Sequence, residues 1–452
     1  MFLLVGLSLY AGSLWVTPIV GADDLSFSRA LELAEKRSEI LMLQASAVKR
    51  AGLSLAEARS RLSPELTFQA LGGYTAHPPQ TITVEAGDLA VISPSTLIPP
   101  DDLTFPEDLP SGYFEFSLQL SQPLYTWGKL RSSVQLAGLG LETSKAAFSE
   151  RKRQLQQDLH TAYFSGVLAR ESLSLLEQIL DILREIEEDR RRAFELGSVN
   201  RLSVLQAQSQ TAEVQQRIVR AEEAYATALE AIAVYTDLDP KSMDLSTGFR
   251  KDHPGVTETE LKKKALENSP ALKKAQLEQE QARANLGLAR GGATFRPDIS
   301  INLSFELFGQ TIPWSEPDWE DAWDLNLIAG VGTQGVLFDA GRSRYQLERA
   351  AEALGASRLA IDLLRKQIRL QTRQAVEALQ RGWAELQEAK AAVARAEEEE
   401  KNTSLAFEQE LLTRDQRGMS RIALMLGRLT LLEREFSFEL ALYELESLAG
   451  FP

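Results

Sequence analysis

The chain has 452 residues, no cysteine and a formal net charge of −15. Without cysteine it can form no disulfide, thiolate metal site or lipid-modified N-terminal cysteine. The acidic balance argues against nucleic-acid binding, and the three histidines, His77, His160 and His253, are far apart in sequence.

Residues 1–22 contain no charged side chain and end in Val20-Gly21-Ala22, with Asp23-Asp24 following. They read as a secretory signal peptide cut after Ala22, although the basic start of such a peptide is missing. A retained membrane anchor is the alternative. No later apolar run approaches the ~20 residues that a transmembrane helix needs.

Residues 24–63 read as helix, capped by Ser26 or Ser28 and stopped by Pro64. Residues 65–74 alternate like a strand. Residues 75–112 hold seven prolines and six acidic residues without a lysine or arginine, which predicts a long loop in water. Then Phe114, Phe116, Leu118 and Leu120 alternate with Glu115, Ser117, Gln119 and Ser121, a strand with one apolar and one polar face. At Gly128 this pattern gives way to a long helix over 129–196. Two offset heptad stripes, Leu173-Leu176-Leu180-Leu183 and Leu175-Ile179-Ile182-Ile186, suit a helix gripped from both sides. Gly197 is placed as a C-cap and Ser198 or Asn200 as the next N-cap, so a second helix over 201–236 returns antiparallel. The cluster Arg190-Arg191-Arg192, beside Glu185, Glu187, Glu188 and Asp189, reads as a solvated face.

Residues 237–256 read as a connector, after which the first half is replayed. A helix over 257–291, interrupted at Asn268-Ser269-Pro270, is stopped by Pro297. Ile299, Ile301, Leu303, Phe305 and Leu307 then alternate with polar residues, and 309–322 is a shorter acidic loop without a base. A strand from Trp323 leads to Gly341 and a helix over 342–414. A break near Gly418 precedes a helix over 420–449. Leu337-Phe338 and Gly341 lie 213 residues beyond Leu124-Tyr125 and Gly128, whereas Gly418 lies 221 beyond Gly197. This is an internal duplication, with repeats at 23–256 and 257–452.

Four strands of about ten residues, apolar on one face, have the length that crosses a bilayer when tilted. Tyr74, Tyr113, Tyr125, Trp127 and Trp323 fall at strand ends, as an interfacial belt requires. Four strands leave two open edges, which lipid does not tolerate, so closure must come from further copies of the chain. A soluble sheet packed on the helices is the competing reading. So is a periplasmic coiled-coil structural or adaptor protein, which would share the helices but not the strands. Glu115 and Glu306 could be named a carboxylate pair, but they read better as the wall of a water-filled lumen. No nucleophile–base constellation or metal-ligand spacing is present, so the chain does not read as an enzyme.

The motifs Pro123-Leu124-Tyr125-Thr126-Trp127-Gly128 and Val336-Leu337-Phe338-Asp339-Ala340-Gly341 resemble the strand-to-helix signature of the TolC-type outer-membrane efflux channels. The helix-to-strand prolines Pro64 and Pro297 and the paired helix breaks are also similar, and the resemblance covers residues 24–450. It implies a mainly helical, internally duplicated fold, with long antiparallel helices forming an α-barrel and four strands per protomer completing a twelve-stranded barrel in a homotrimer. It further implies an outer-membrane location, a helical tunnel in the periplasm, and docking to a periplasmic adaptor and an inner-membrane pump, with no cofactor. The implied junctions are Pro64, Gly128, Pro297 and Gly341; the adaptor-facing helix ends are Gly197, Asn200, Gly418 and Ser420. The periplasmic gate is expected at Arg414, Asp415, Arg417, Gly418, Arg421 and Leu424, with Asp415 in charge pairs. Relatives resemble one another in carrying aspartates at the positions of Leu424 and Gly427, so an acidic ring is not expected here. Leu424 is expected either as an apolar constriction or packed inward in an ordinary hairpin.

Overall fold

The computed structural model describes residues 23–74, 82–84, 103–105, 112–252, 258–292, 295–309 and 323–450. The expected signal peptide, the loop residues 310–322 and most of the loop at 75–112 lie outside these residues. The described chain runs β1 (Asp23–Leu25), α1 (Phe27–Arg37), α2 (Glu39–Ser60), β2 (Glu65–Tyr74), β3 (Ile82–Val84), β4 (Leu103–Phe105) and β5 (Gly112–Tyr125). The hairpin α3 (Lys129–Glu195) and α4 (Arg201–Thr236) follows, then β6 (Met243–Leu245), α5 (Glu258–Asn268) and α6 (Pro270–Gly292). Next come β7 (Asp298–Gly309), β8 (Trp323–Gln334) and a second hairpin, α7 (Arg342–Glu408) and α8 (Arg414–Ala449). Among the described residues no helix is long and apolar enough to cross a membrane.

The two hairpins match residue for residue. α3 and α7 have 67 residues each, and α4 and α8 have 36 each. Left-handed residues recur at one spacing: Trp127 and Ala340, Gly128 and Gly341, Gly197 and Glu410, Asp237 and Gly450, each 213 apart (410−197, 450−237). The expected break near Gly418, and the 221-residue offset built on it, are therefore corrected. α7 ends at Glu408, and Glu410 takes the left-handed position at φ 57° that Gly197 holds at 74°. Both ends close by the same bonds: Ser198 N–H to the Ala193 carbonyl and Leu411 N–H to the Ala406 carbonyl. Asn200 caps α4, and Thr413 caps α8 in a reciprocal capping box with Gln416. A glutamate in a glycine's usual place hid this end, and Gly418 drew attention instead. Gly418 lies inside α8 for a packing reason: a Cβ there would sit 3.0 Å from Ile186 Cδ1 and 3.3 Å from Ile182 Cγ2.

The single helix expected at 24–63 is two helices, broken at Ser38, the counterpart of the interruption at Ser269. Ser26 is its cap, accepting from the Arg29 N–H. The chain divides into two compact units. One unit holds 1–49, 142–277 and 358–452. Its first core gathers Leu25, Tyr163, Phe164, Ile232 and Leu245. The supposed connector belongs to that core, because β6 pairs in parallel with β1, Leu25 opposite Leu245. The Tyr163 hydroxyl donates to the Leu25 carbonyl at 2.6 Å and accepts from the Thr247 N–H at 3.0 Å. Gly166 lets β6 lie close, since a Cβ there would come within 2.7 Å of Leu245 Cδ1. A second core joins both α3 stripes to α4, α7 and α8: Leu176, Ile179, Ile182 and Ile186 meet Val393, Ile422, Leu424 and Met425, with Val214 and Ile218 against them.

The other unit holds 50–141 and 278–357. It contains an antiparallel sheet in the order β2-β5-β7-β8. Pro123 lacks the N–H that the ladder needs, and the register shifts between Pro123 and Tyr125. β8 stops at Gln334, so Leu337-Phe338 follow their strand whereas Tyr125 ends its own. β3 and β4 pair antiparallel, Ile82 opposite Phe105.

Candidate functional site

The first candidate is the sheet itself. Its register sets the apolar residues of all four strands in common rows: Phe68, Leu118, Phe305 and Leu327 form one, and Leu66, Leu120, Leu303 and Ala329 another. Among the described residues nothing covers this face; Phe68 is 66% exposed and Leu327 69%. The opposite face carries Gln69, Ser117, Glu306 and Asn326 in one row. Every charged residue on these strands is acidic: Glu65, Glu115, Asp298, Glu306 and Asp324. β2 and β8 are the sheet's two edges. Twelve residues of strand span about 40 Å, close to a hydrocarbon core's thickness when tilted. One end of the sheet carries Trp323 stacked near Phe114 and Phe116, at 6.4 and 5.8 Å between ring centres. Trp323 lies over Gly309, where any Cβ would collide with its indole.

Of the expected junctions, those at Gly128 and Pro297 are joined through their neighbours. The Trp127 indole donates to the Pro297 carbonyl at 3.0 Å, and Lys129 Nζ meets the Asp298 carboxylate at 3.0 Å. The strand-to-helix turn of one repeat is thus tied to the helix-to-strand turn of the other. Gly128 and Gly341 hold φ of 82° and 84°, where a side chain is strained. Asp339 caps α7, accepting from the Gly341 and Ser343 N–H groups at 3.0 and 2.9 Å. Bonds from the Ser343 hydroxyl and amide hold its carboxyl below the usual range.

The second candidate is where α3 and α8 meet at the hairpin ends. Arg190 of α3 pairs with Asp415 of α8 at 2.9 Å, so Arg190 does not belong to a merely solvated face. Arg414 reaches Asp189 at 3.5 Å. The Arg417 guanidinium lies 5.0 Å over the Phe407 ring, and its Nε–H donates to the Ser404 hydroxyl. Arg414, Arg417, Gly418 and Arg421 line a cavity of about 150 Å³ with Ile182, Glu185 and Phe407. Four of the six expected gate residues thus line one cavity, while Asp415 turns to Arg190. Leu424 does not join them; it is 6% exposed and packed in the second core, the inward-packed one of its two expected placements. Gly197 and Asn200 turn the first hairpin, but Gly418 and Ser420 lie within α8 and do not turn the second. The residues that do, Glu410 and Thr413, were missed; the capping pair Thr413 and Gln416 was the available signal. Among the described residues no group of three or more metal-ligating side chains converges.

A four-stranded antiparallel sheet with one bare apolar face and two open edges, on a chain that also carries two long helical hairpins, is the architecture of solved outer-membrane channels. The family model described as outer membrane efflux protein matches residues 30–236, and this segment belongs to that family. The fold of the whole chain is that of the TolC-type channels. The Campylobacter jejuni CmeC outer membrane channel superposes with a TM-score of 0.75 at 15% identity, covering 100% of this chain and 94% of that one. For the outer membrane protein VceC from Vibrio cholerae the values are 0.70, 17%, 94% and 97%. For the open state of the Neisseria gonorrhoeae MtrE outer membrane channel they are 0.70, 16%, 96% and 93%. No curated protein sequence matches the chain.

Proposed function

We propose that three copies of this chain close a twelve-stranded barrel in the outer membrane and continue it as a helical tunnel into the periplasm. The tunnel, joined to a periplasmic adaptor and an inner-membrane pump, exports solutes from the cell. The two halves, 23–256 and 257–452, act as repeats of one duplicated unit, residues 1–22 direct secretion, and the acidic loops face the cell surface. The gate is the Arg190–Asp415 contact with Arg414, Arg417, Gly418 and Arg421; the hairpin turns at Gly197, Asn200, Glu410 and Thr413 face the adaptor.

The bare apolar face of the sheet carries this reading. In water those rows would drive aggregation, whereas in lipid they are at home. The same setting makes the β2 and β8 edges untenable alone, because each unpaired backbone group in hydrocarbon costs several kcal/mol. The strands alternate in direction, so β8 of one copy can pair antiparallel with β2 of the next and close a ring.

A chain without cysteine allows a direct test. Gln69→Cys on β2 is combined with Asn326→Cys, Ile328→Cys or Gly330→Cys on β8, and native membranes are oxidised. At least one pair should give a covalent ladder ending at the trimer, and the purified trimer should conduct in planar bilayers. Monomers alone from every pair would refute the closure.

A further inference from the structure

One carboxylate ties three parts of the chain together inside the first unit. Glu439 of α8 is 1% exposed, as is His160 of α3. Glu439 accepts from His160 Nε2 at 3.1 Å, and from the backbone N–H and Nε of Arg250, each at 2.9 Å. Arg250 follows β6 and also reaches Glu446, two turns further along α8, at 2.9 Å. Tyr443 stacks on the His160 ring at 3.7 Å, and Phe27 of α1 meets that ring edge-on at 5.2 Å. Because Nε2 holds the proton shared with Glu439, Nδ1 is bare. It is buried and has no hydrogen-bond partner. A cavity of about 560 Å³ borders His160, Glu439, Arg250 and Tyr443, but Nδ1 itself is closed off from it.

We infer that His160, Glu439 and Arg250 form an acid-sensitive clamp that holds α8 against α3 and loosens when a second proton enters the imidazole. That proton would place an N–H at Nδ1 where no acceptor waits, and an unpaired buried donor is costly. The charged and titratable groups around the ring come from every element packed on it. α8 supplies Glu439, Tyr443 and Glu446, the segment after β6 supplies Arg250, α1 supplies Glu35, and α3 supplies Lys152 and Arg153. Lys152 is neutralised by Glu35 and Arg153 by Glu150. Burial pushes Tyr443 up to about 12, so it stays uncharged over the ring.

Burial likewise holds His160 below its ordinary 6.5, against the pull of Glu439. Burial works to raise Glu439, but the bonds from His160 and Arg250 together outweigh it and keep its carboxyl below 4.5. A depressed histidine contributes stability that is full above 6.5 and declines as pH falls from there; the depressed glutamate contributes until pH falls below 4.5. Between those two values the loss belongs to His160.

The test is hydrogen exchange on the intact protein in detergent at pH 7.5 and 5.5, corrected for intrinsic rates. Peptides covering 155–165 and 435–445 should lose protection several-fold at pH 5.5 in the wild type. His160→Gln keeps a donor for Glu439 but cannot titrate, and its protection should be the same at both values. An unchanged wild type, or an equal loss in His160→Gln, would overturn the clamp. Should that variant fail to assemble, the chain carrying His77→Gln and His253→Gln leaves His160 as the sole imidazole. Its carbon-13 resonance should titrate below 6.5; titration at or above that value would overturn the inference. Neither readout requires conduction, so failure of the channel reading is a separate result.

Discussion

Asp415 and Leu424 lie nine residues apart on α8 and respond differently to substitution. Asp415 is part-exposed and paired with Arg190, a contact worth about 0–1 kcal/mol that salt weakens. So weak a contact can break without unfolding the hairpin around it. Leu424 instead fills the core between α3, α7 and α8, against Ile182, Ile186 and Val393. Leu424→Asp would bury a carboxylate without a cation, at a cost of about 3–5 kcal/mol. It should therefore lower assembled protein and raise protease sensitivity while adding no cation preference to the molecules that do assemble. Tunnel protein of normal yield with an altered reversal potential would show that Leu424 faces the pore.

At the scale of elements, the ends of the hairpins show what a sequence conveys and what it hides. The strands were plain, because a period of two over 298–309 survives any packing. The helices were plain as well, because their stripes run for many turns. The second hairpin's end was not, because Glu410 occupies a conformation that glycine usually marks. The small sheet of β1 and β6 was also hidden. Three residues give no periodicity, and what holds them is distant: Tyr163 bonded to Leu25 and Thr247, and the space left by Gly166. The clamp at Glu439 was invisible for the same reason, its partners lying 279 and 189 residues away. The sequence singled out Asp415 but not its partner on α3, since Arg190 sits in a run of mixed charge that suggests only solvent. The left-handed glutamate yields its own prediction. Glu410→Gly should relieve about 1 kcal/mol of strain and slow hydrogen exchange at the end of α7. Exchange at Ala406–Leu411 as fast as in wild type, or faster, would mean that the turn is not strained.

For the whole molecule, the decisive question is which solvent meets each face of the sheet. Leu327 and Asn326 are neighbours on β8, but the pleat sends them to opposite faces. Leu327 stands in the row with Phe68, Leu118 and Phe305, and Asn326 in the row with Gln69, Ser117 and Glu306. If the first face meets lipid, Leu327→Arg places a guanidinium in hydrocarbon at a cost of about 2–4 kcal/mol per protomer, incurred three times in a trimer. Asn326→Arg puts the same group into a wet lumen whose strand charges are all acidic. The expected outcome is a sharp split. Leu327→Arg should abolish heat-resistant trimers in the membrane, whereas Asn326→Arg should form them normally and shift ion preference towards anions, which bilayer recordings under a salt gradient would read. A soluble sheet packed on helices predicts no such contrast in ion preference. Equal tolerance of both substitutions, with unchanged selectivity, would remove the barrel from this chain's function.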